Sequence, residues 1–179
     1  MTQTGSVYAE ALYDLALEEG LCDQALEELE ALDQGFATEP DFLRLLASPA
    51  LSKQERCQIL DESFRGRVQP YILNTLKLLT QKGHIRRFHG CVASFRARYY
   101  REHGIVPVEA VTAVPLTDDQ KQRLTEKLAA ITGKQILLRD RVDPSCLGGV
   151  RLNFDGKQLD DTVAHRLEAI RAKLTNTVL

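Results

Sequence analysis

Glu102-His103-Gly104-Ile105-Val106-Pro107-Val108-Glu109-Ala110-Val111-Thr112-Ala113-Val114 is the stretch in which the chain changes its rhythm. Upstream of it, apolar residues recur at helical spacing. From Ile105 to Val114 the residues are rich in β-branched side chains, which pack well on a pleated surface and predict a strand. Two parts are therefore expected, a mainly helical bundle over residues 1–104 and a small α/β domain over residues 105–179.

Working back from the switch, Phe88, Val92, Phe95 and Tyr99 predict one helix over about 85–101. Ile72, Leu76 and Leu79 predict another, with Pro70 near its start and Gly83 as its left-handed C-cap. Ser52-Lys53-Gln54-Glu55 is a capping box opening a helix that carries Ile59, Leu60 and Phe64 and ends near Gly66. A short helix is expected from Asp41 to Ala47, before Pro49. Ala25, Leu29, Leu32 and Phe36 form a stripe that Glu39-Pro40 interrupts. Tyr8, Ala11, Leu12, Leu15 and Ala16 form the first stripe, which Gly20 ends. About six helices with short turns predict an antiparallel bundle.

Working forward, Thr117-Asp118-Asp119-Gln120 is a second capping box, opening a helix with Leu124, Leu128 and Ile131 inward and Gly133 at its end. Ile136 to Val142 predicts a strand. Val150, Leu152 and Phe154 alternate with Arg151 and Asn153, the period of a half-buried strand. Asp155-Gly156 supplies a tight turn, and Asp160 or Asp161 caps a last helix with Val163, Leu167, Ile170 and Leu174 on its face. The second part thus reads β-α-β-β-α, and the fold class is mainly α.

Composition narrows the function. A hydrophobic fraction of 44% supports a core, and no run approaches the roughly 18 apolar residues of a membrane span. The first 43 residues carry eleven acids and no Lys or Arg, unlike a secretory or mitochondrial leader, so a cytosolic protein is expected. Cys22, Cys57, Cys91 and Cys146 are widely spaced and read as reduced thiols. His84, His89, His103 and His165 show no metal-ligand spacing, and no cofactor is expected. Gly148-Gly149 precedes a strand rather than a helix, so it fits a strand-entry bend and not a phosphate loop. No nucleophile–base pair stands out, and a small enzyme has no constellation to fill its site.

Lys82, Arg86, Arg87, Arg96, Arg98 and Arg101 lie close together with Phe88, Phe95, Tyr99 and Tyr100 between them. That pattern admits nucleic-acid binding, against which stand the net charge of −2 and the place of three of those rings on the core stripe. Burial of Phe88, Phe95 and Tyr99 decides between the two readings. The acidic first forty residues either face this basic helix or steer a basic partner.

Several motifs together resemble the delta subunit of bacterial F-type ATP synthase, whose mitochondrial relative is the oligomycin-sensitivity-conferring protein. They are Tyr8-Ala9-Glu10-Ala11-Leu12, Ser48-Pro49 with Leu51-Ser52-Lys53-Gln54-Glu55, and Leu78 to His84, where His84 replaces the usual arginine. The most specific block is Asp143-Pro144-Ser145-Cys146-Leu147-Gly148-Gly149-Val150-Arg151-Leu152, followed by Leu159-Asp160-Asp161-Thr162-Val163 and Leu167.

This resemblance implies a non-catalytic stator subunit in the peripheral stalk of a proton-translocating rotary ATP synthase. It implies one copy per complex, no bound nucleotide, and attachment to the cytoplasmic face of a bacterial inner membrane only through the complex. The expected partners are N-terminal helices of alpha subunits for residues 1–104 and C-terminal ends of b subunits for residues 105–179. The first and fifth helices are expected to form the groove, with Tyr8, Ala11, Leu12, Leu15, Asn74 and Leu78 as its contacts. For Tyr8, Leu12 and Leu15, bundle core and docking surface both remain open. Gly83, Gly148, Gly149 and Asp160 are read as structural.

Overall fold

A computed structural model of the chain describes residues 3–154, 156–163, 165 and 167. These are mainly helical, with a small four-stranded sheet near the C-terminus. The chain divides into two compact units, residues 1–99 and 100–179, a few residues ahead of the boundary expected at 104.

The first unit holds α1 (Gln3–Glu18), α2 (Cys22–Thr38), α3 (Pro40–Leu46), α4 (Lys53–Phe64) and α5 (Pro70–Gln81). A 3-10 turn at Ile85–Arg87 and α6 (Phe88–Glu102) follow, so the single helix expected over 85–101 is split. Its first turn is tightened because the Phe88 N–H donates to the Ile85 carbonyl, three residues back. Leu29, Leu46, Leu60, Ile72, Leu76, Leu79, Phe88, Val92 and Phe95 make the core.

The local signals act as their chemistry requires. Ser52 accepts from the Glu55 amide while Glu55 accepts from that of Ser52, satisfying two orphan donors of α4. At the end of α5, Gly83 adopts φ +73°, its N–H donating to Thr80 and that of His84 to Leu79. That pair of bonds is a Schellman motif, and glycine enters it without a Cβ penalty.

The second unit is built on β1 (Ile105–Thr112), α7 (Asp118–Thr132), β2 (Gln135–Val142), β3 (Val150–Phe154) and β4 (Lys157–Asp160). The sheet order is β2-β1-β3-β4. β1 and β2 run parallel, with α7 as the crossover that a parallel pair needs; β1–β3 and β3–β4 are antiparallel. Val108 pairs with Leu138, Ala110 with Leu152, and Leu152 with Leu159, which gathers apolar side chains on one face. The alternate positions mix buried Val111 with polar residues, and there Asn153 Nδ2 donates to Glu109 Oε2 at 2.8 Å.

β4 is an addition to the expected β-α-β-β-α order. Ile131 is a correction: it is exposed rather than inward. The half-buried face of α7 is Lys121, Leu124, Thr125, Leu128 and Ala129, with Lys121 paired to Asp140 of β2 at 2.9 Å, and Ile131 lies off that face. Val163, His165 and Leu167 are helical; Ile170, Leu174 and Asp155 lie outside the described residues.

Candidate partner-binding site

On α1 the core stripe is Ala9, Leu12, Tyr13 and Ala16, all buried. The stripe expected from sequence shares only Leu12 and Ala16 with it. Leu12 is 1% exposed, so the core takes it and it offers nothing to a partner, a correction to its place among the contacts. Tyr8 is half-buried, and Ala11 and Leu15 are exposed, Leu15 by 45%. At about 100° per residue these three make a second apolar line beside the core stripe.

α6 covers the opposite flank of α1. Tyr13 and Phe95 have ring centroids 5.2 Å apart, the Arg98 guanidinium stands 4.4 Å from the Tyr13 ring centre, and Arg98 Nη2 reaches Asp14 Oδ1 at 2.7 Å. The Tyr8–Ala11–Leu15 line lies on the flank away from α6, and α1 packs on both α5 and α2.

α5 shows the same arrangement. α4 holds one flank, through Lys77 Nζ to Asp61 Oδ1 at 2.6 Å and Gln81 Nε2 to Cys57 Sγ at 3.4 Å. Ile72, Leu76 and Leu79 go into the core. The remaining flank carries Tyr71, Asn74 and Leu78 at i, i+3 and i+7; Asn74 is exposed and Leu78 is 41% exposed. Leu78, two residues from fully buried Leu76, keeps 41% of its surface exposed. α1 and α5, which pack on each other, thus each keep apolar side chains exposed, Leu15 on α1 and Leu78 on α5.

Tyr71 is the residue that sequence reasoning missed. It is 9% exposed, and its hydroxyl has no hydrogen-bond partner among the described residues. Burial, then the charges of Glu28 and Glu19, push its phenol pKa upward. Only its heptad spacing from Leu78 hinted at a place on this flank.

The basic sixth helix answers the question left by its sequence. Phe88 and Phe95 are buried, and the Tyr99 hydroxyl donates to Asp23 Oδ1 at 2.5 Å. That bond, with burial and the Asp23 charge adding to it, pushes the Tyr99 pKa up to about 12. Arg98 pairs with Asp14, Arg96 with Glu30 at 3.3 Å, and His89 with Asp33 at 2.8 Å. Phe88 and Phe95 are thus unavailable for stacking on bases, Tyr99 is half-buried and held by Asp23, and Arg96 and Arg98 are paired with acids of α2 and α1.

In the second unit the glycine pair and Asp160 form one corner. Gly149 has φ +80°, and a Cβ there would collide with the Asp161 carbonyl and stand 3.0 Å from Thr162 Cα. Gly148 precedes it with an equally side-chain-averse φ of +155°. Asp160 Oδ1 accepts from the Thr162 hydroxyl at 2.7 Å and the Thr162 N–H at 3.0 Å, and its Oδ2 accepts from Arg151 Nε at 2.7 Å. The Thr162 bonds first, then Arg151, hold the Asp160 carboxyl well below the usual carboxylate range. Thr162, fully buried, accepts in turn from the His165 N–H. The helix cap is thus Thr162, and Asp160 positions it, which corrects the assignment of the cap to Asp160 or Asp161.

A family model described as ATP synthase delta (OSCP) subunit matches residues 5–174, spanning both units and this corner. The chain belongs to that family. Among its curated relatives, ATP synthase subunit delta of Chlorobium luteolum is 32% identical over 94% of this chain and 93% of its own length. Those of Chlorobium phaeobacteroides and Clostridium kluyveri are 33% and 30% identical over 93% and 92% of this chain. A chain in the mitochondrial ATP synthase hexamer of Toxoplasma gondii shares the fold, with a TM-score of 0.75 over 98% of both chains at 22% identity.

A delta-family chain is a non-catalytic stator, a peripheral-stalk subunit that links the catalytic head to the membrane sector and resists rotor torque. The complex is membrane-bound, and no described helix of this chain is long and apolar enough to cross a membrane.

Proposed function

We propose that the α1–α5 face receives the N-terminal helix of an alpha subunit, and that the second unit engages the C-terminal ends of b subunits, with one copy of the chain per complex. The observation that carries the first half is the exposed apolar surface of Ala11 and Leu15 on α1 and of Leu78 on α5, with Tyr8 half-buried and Asn74 exposed on the same helices. Ala11 is small enough for close helix approach, and Leu15 and Leu78 give the docked helix apolar surface on both sides. Attachment on the cytoplasmic side of a bacterial inner membrane follows from the complex and not from the chain itself.

Isothermal titration with a peptide of the alpha-subunit N-terminus from the same organism tests this. Tight one-to-one binding is expected. Ala11→Asp or Leu78→Asp places a carboxylate against the apolar face of the peptide and weakens binding at least tenfold, about 1.4 kcal/mol. Circular dichroism on both variants checks that the helices survive. Absence of binding by the folded wild type overturns the proposal.

A further inference from the structure

The two edges of the sheet are finished differently. β4, at one edge, has four residues and is polar apart from Leu159, so it is blunted as a template for another strand. β2, at the other edge, has eight residues in unbroken register with β1 and contains no glycine, proline or bulge. The bonds at its two ends set its phase. The Gln135 N–H donates to the Gly104 carbonyl at 3.1 Å, and the Asp143 N–H to the Thr112 carbonyl at 2.8 Å. Leu137, Arg139 and Arg141 share that phase and bond to β1, so Ile136, Leu138, Asp140 and Val142 direct their N–H and C=O groups outward. Among the described residues no strand lies beyond them.

The side chains on the two faces of this edge select what can pair with it. Leu137, Arg139 and Arg141 share one face and are exposed. Glu109, beside Arg139 in the register and 3.6 Å from Arg141 Nε, balances only one of the two guanidiniums. On the other face the charge is already balanced, because Asp140 pairs with Lys121 at 2.9 Å. Leu138, half-buried, and Val142, exposed, leave apolar surface there.

We infer that the outer edge of β2 takes up an extended acidic segment of another protein as a further strand. Its backbone would satisfy the outward N–H and C=O groups, its acids at alternate positions would meet Arg139 and Arg141, and the apolar residues between them would lie beside Leu138 and Val142. A second copy of this chain fits less well, since its own β2 brings the same two arginines. This contact is independent of the α1–α5 docking proposed above.

Amide exchange in the full ¹⁵N-labelled chain, alone and with a synthetic peptide alternating glutamate with valine, tests the inference. The same peptide with lysine in place of glutamate is the control. In the free chain the N–H groups of Ile136, Leu138, Asp140 and Val142 are expected to exchange faster than those of Leu137, Arg139 and Arg141. The glutamate peptide slows the four outward groups at least tenfold and leaves β4 unchanged, and the lysine peptide does neither. Arg139→Glu combined with Arg141→Glu, both at exposed positions, reverses the preference between the peptides. Leu138→Pro removes an outward N–H and no bond to β1, so the sheet persists and uptake is lost. Outward groups that are already slow in the free chain overturn the inference, because the edge is then paired without a partner. Equal protection by both peptides, or none by the glutamate peptide, overturns it as well.

Discussion

Gly149 and Thr162 approach so closely that a Cβ on the glycine would stand 3.0 Å from the threonine Cα, with the Asp161 carbonyl closer still. Strand entry, β4 exit and the cap of the last helix meet at that point. Gly149→Ala therefore combines a left-handed strain with a backbone clash and destabilises the second unit by about 2–4 kcal/mol. Gly156→Ala, at φ +70° with open space around it, costs only the strain, about 1 kcal/mol. Urea denaturation of the two variants separates the contributions.

Asp160→Asn removes the carboxylate that holds Thr162 and Arg151. A carboxyl lowered in the folded state contributes stability above its ordinary pKa, near 4, and loses that contribution as pH falls through the folded value. The gap in melting temperature between wild type and Asp160→Asn is therefore constant from about pH 5 to 7 and closes as the solution is acidified below about pH 4. Melting curves across that range give the result.

Tyr99 donates to Asp23, and its phenol is pushed up to about 12. The sign is the reverse of Asp160: the bond is whole below the ordinary phenol pKa near 10 and is lost as pH rises through the folded value. Phenolate absorbance in an alkaline titration is expected to lose its last step in Tyr99→Phe.

Arg98 ties α6 to α1 by three contacts: the Asp14 carboxylate, the Glu10 carbonyl at 3.2 Å and the face of Tyr13. Asp14 is over half exposed, so solvent screens that pair and the ring contact and buried stem carry more of the effect. Arg98→Ala is expected to cost about 1–2 kcal/mol, largely insensitive to salt, in a denaturant titration at two ionic strengths.

Much of the fold was legible in the sequence because its punctuation is local. The boxes at Ser52 and Thr117 and the glycine at 83 need only neighbouring residues to work. What depended on long-range packing was not. The stripe on α1 was read too far round because residues 8, 9, 11, 12, 13, 15 and 16 are all Tyr, Ala or Leu and cover more than one face, so only packing decides which line is buried. β4 was missed because Lys157-Gln158-Leu159-Asp160 is short and polar, as an edge strand tends to be. Leu78 was legible as an excess leucine off the core line, whereas Tyr71 looked like an ordinary aromatic beside Pro70.

A rival surface sharpens the central test. Leu32, Phe36, Phe42, Leu45, Phe64 and Val68 line a concavity of about 940 Å³ between α2, α3 and α4, its rings 5.9–6.1 Å apart. Titrating the ¹⁵N-labelled chain with the unmodified alpha-subunit peptide distinguishes the two faces directly. The largest shifts are expected at Tyr8, Ala11, Leu15, Tyr71, Asn74 and Leu78, with Phe42, Leu45 and Phe64 unmoved. Shifts confined to the α2–α3–α4 concavity, with Leu15 and Leu78 unchanged, contradict the account.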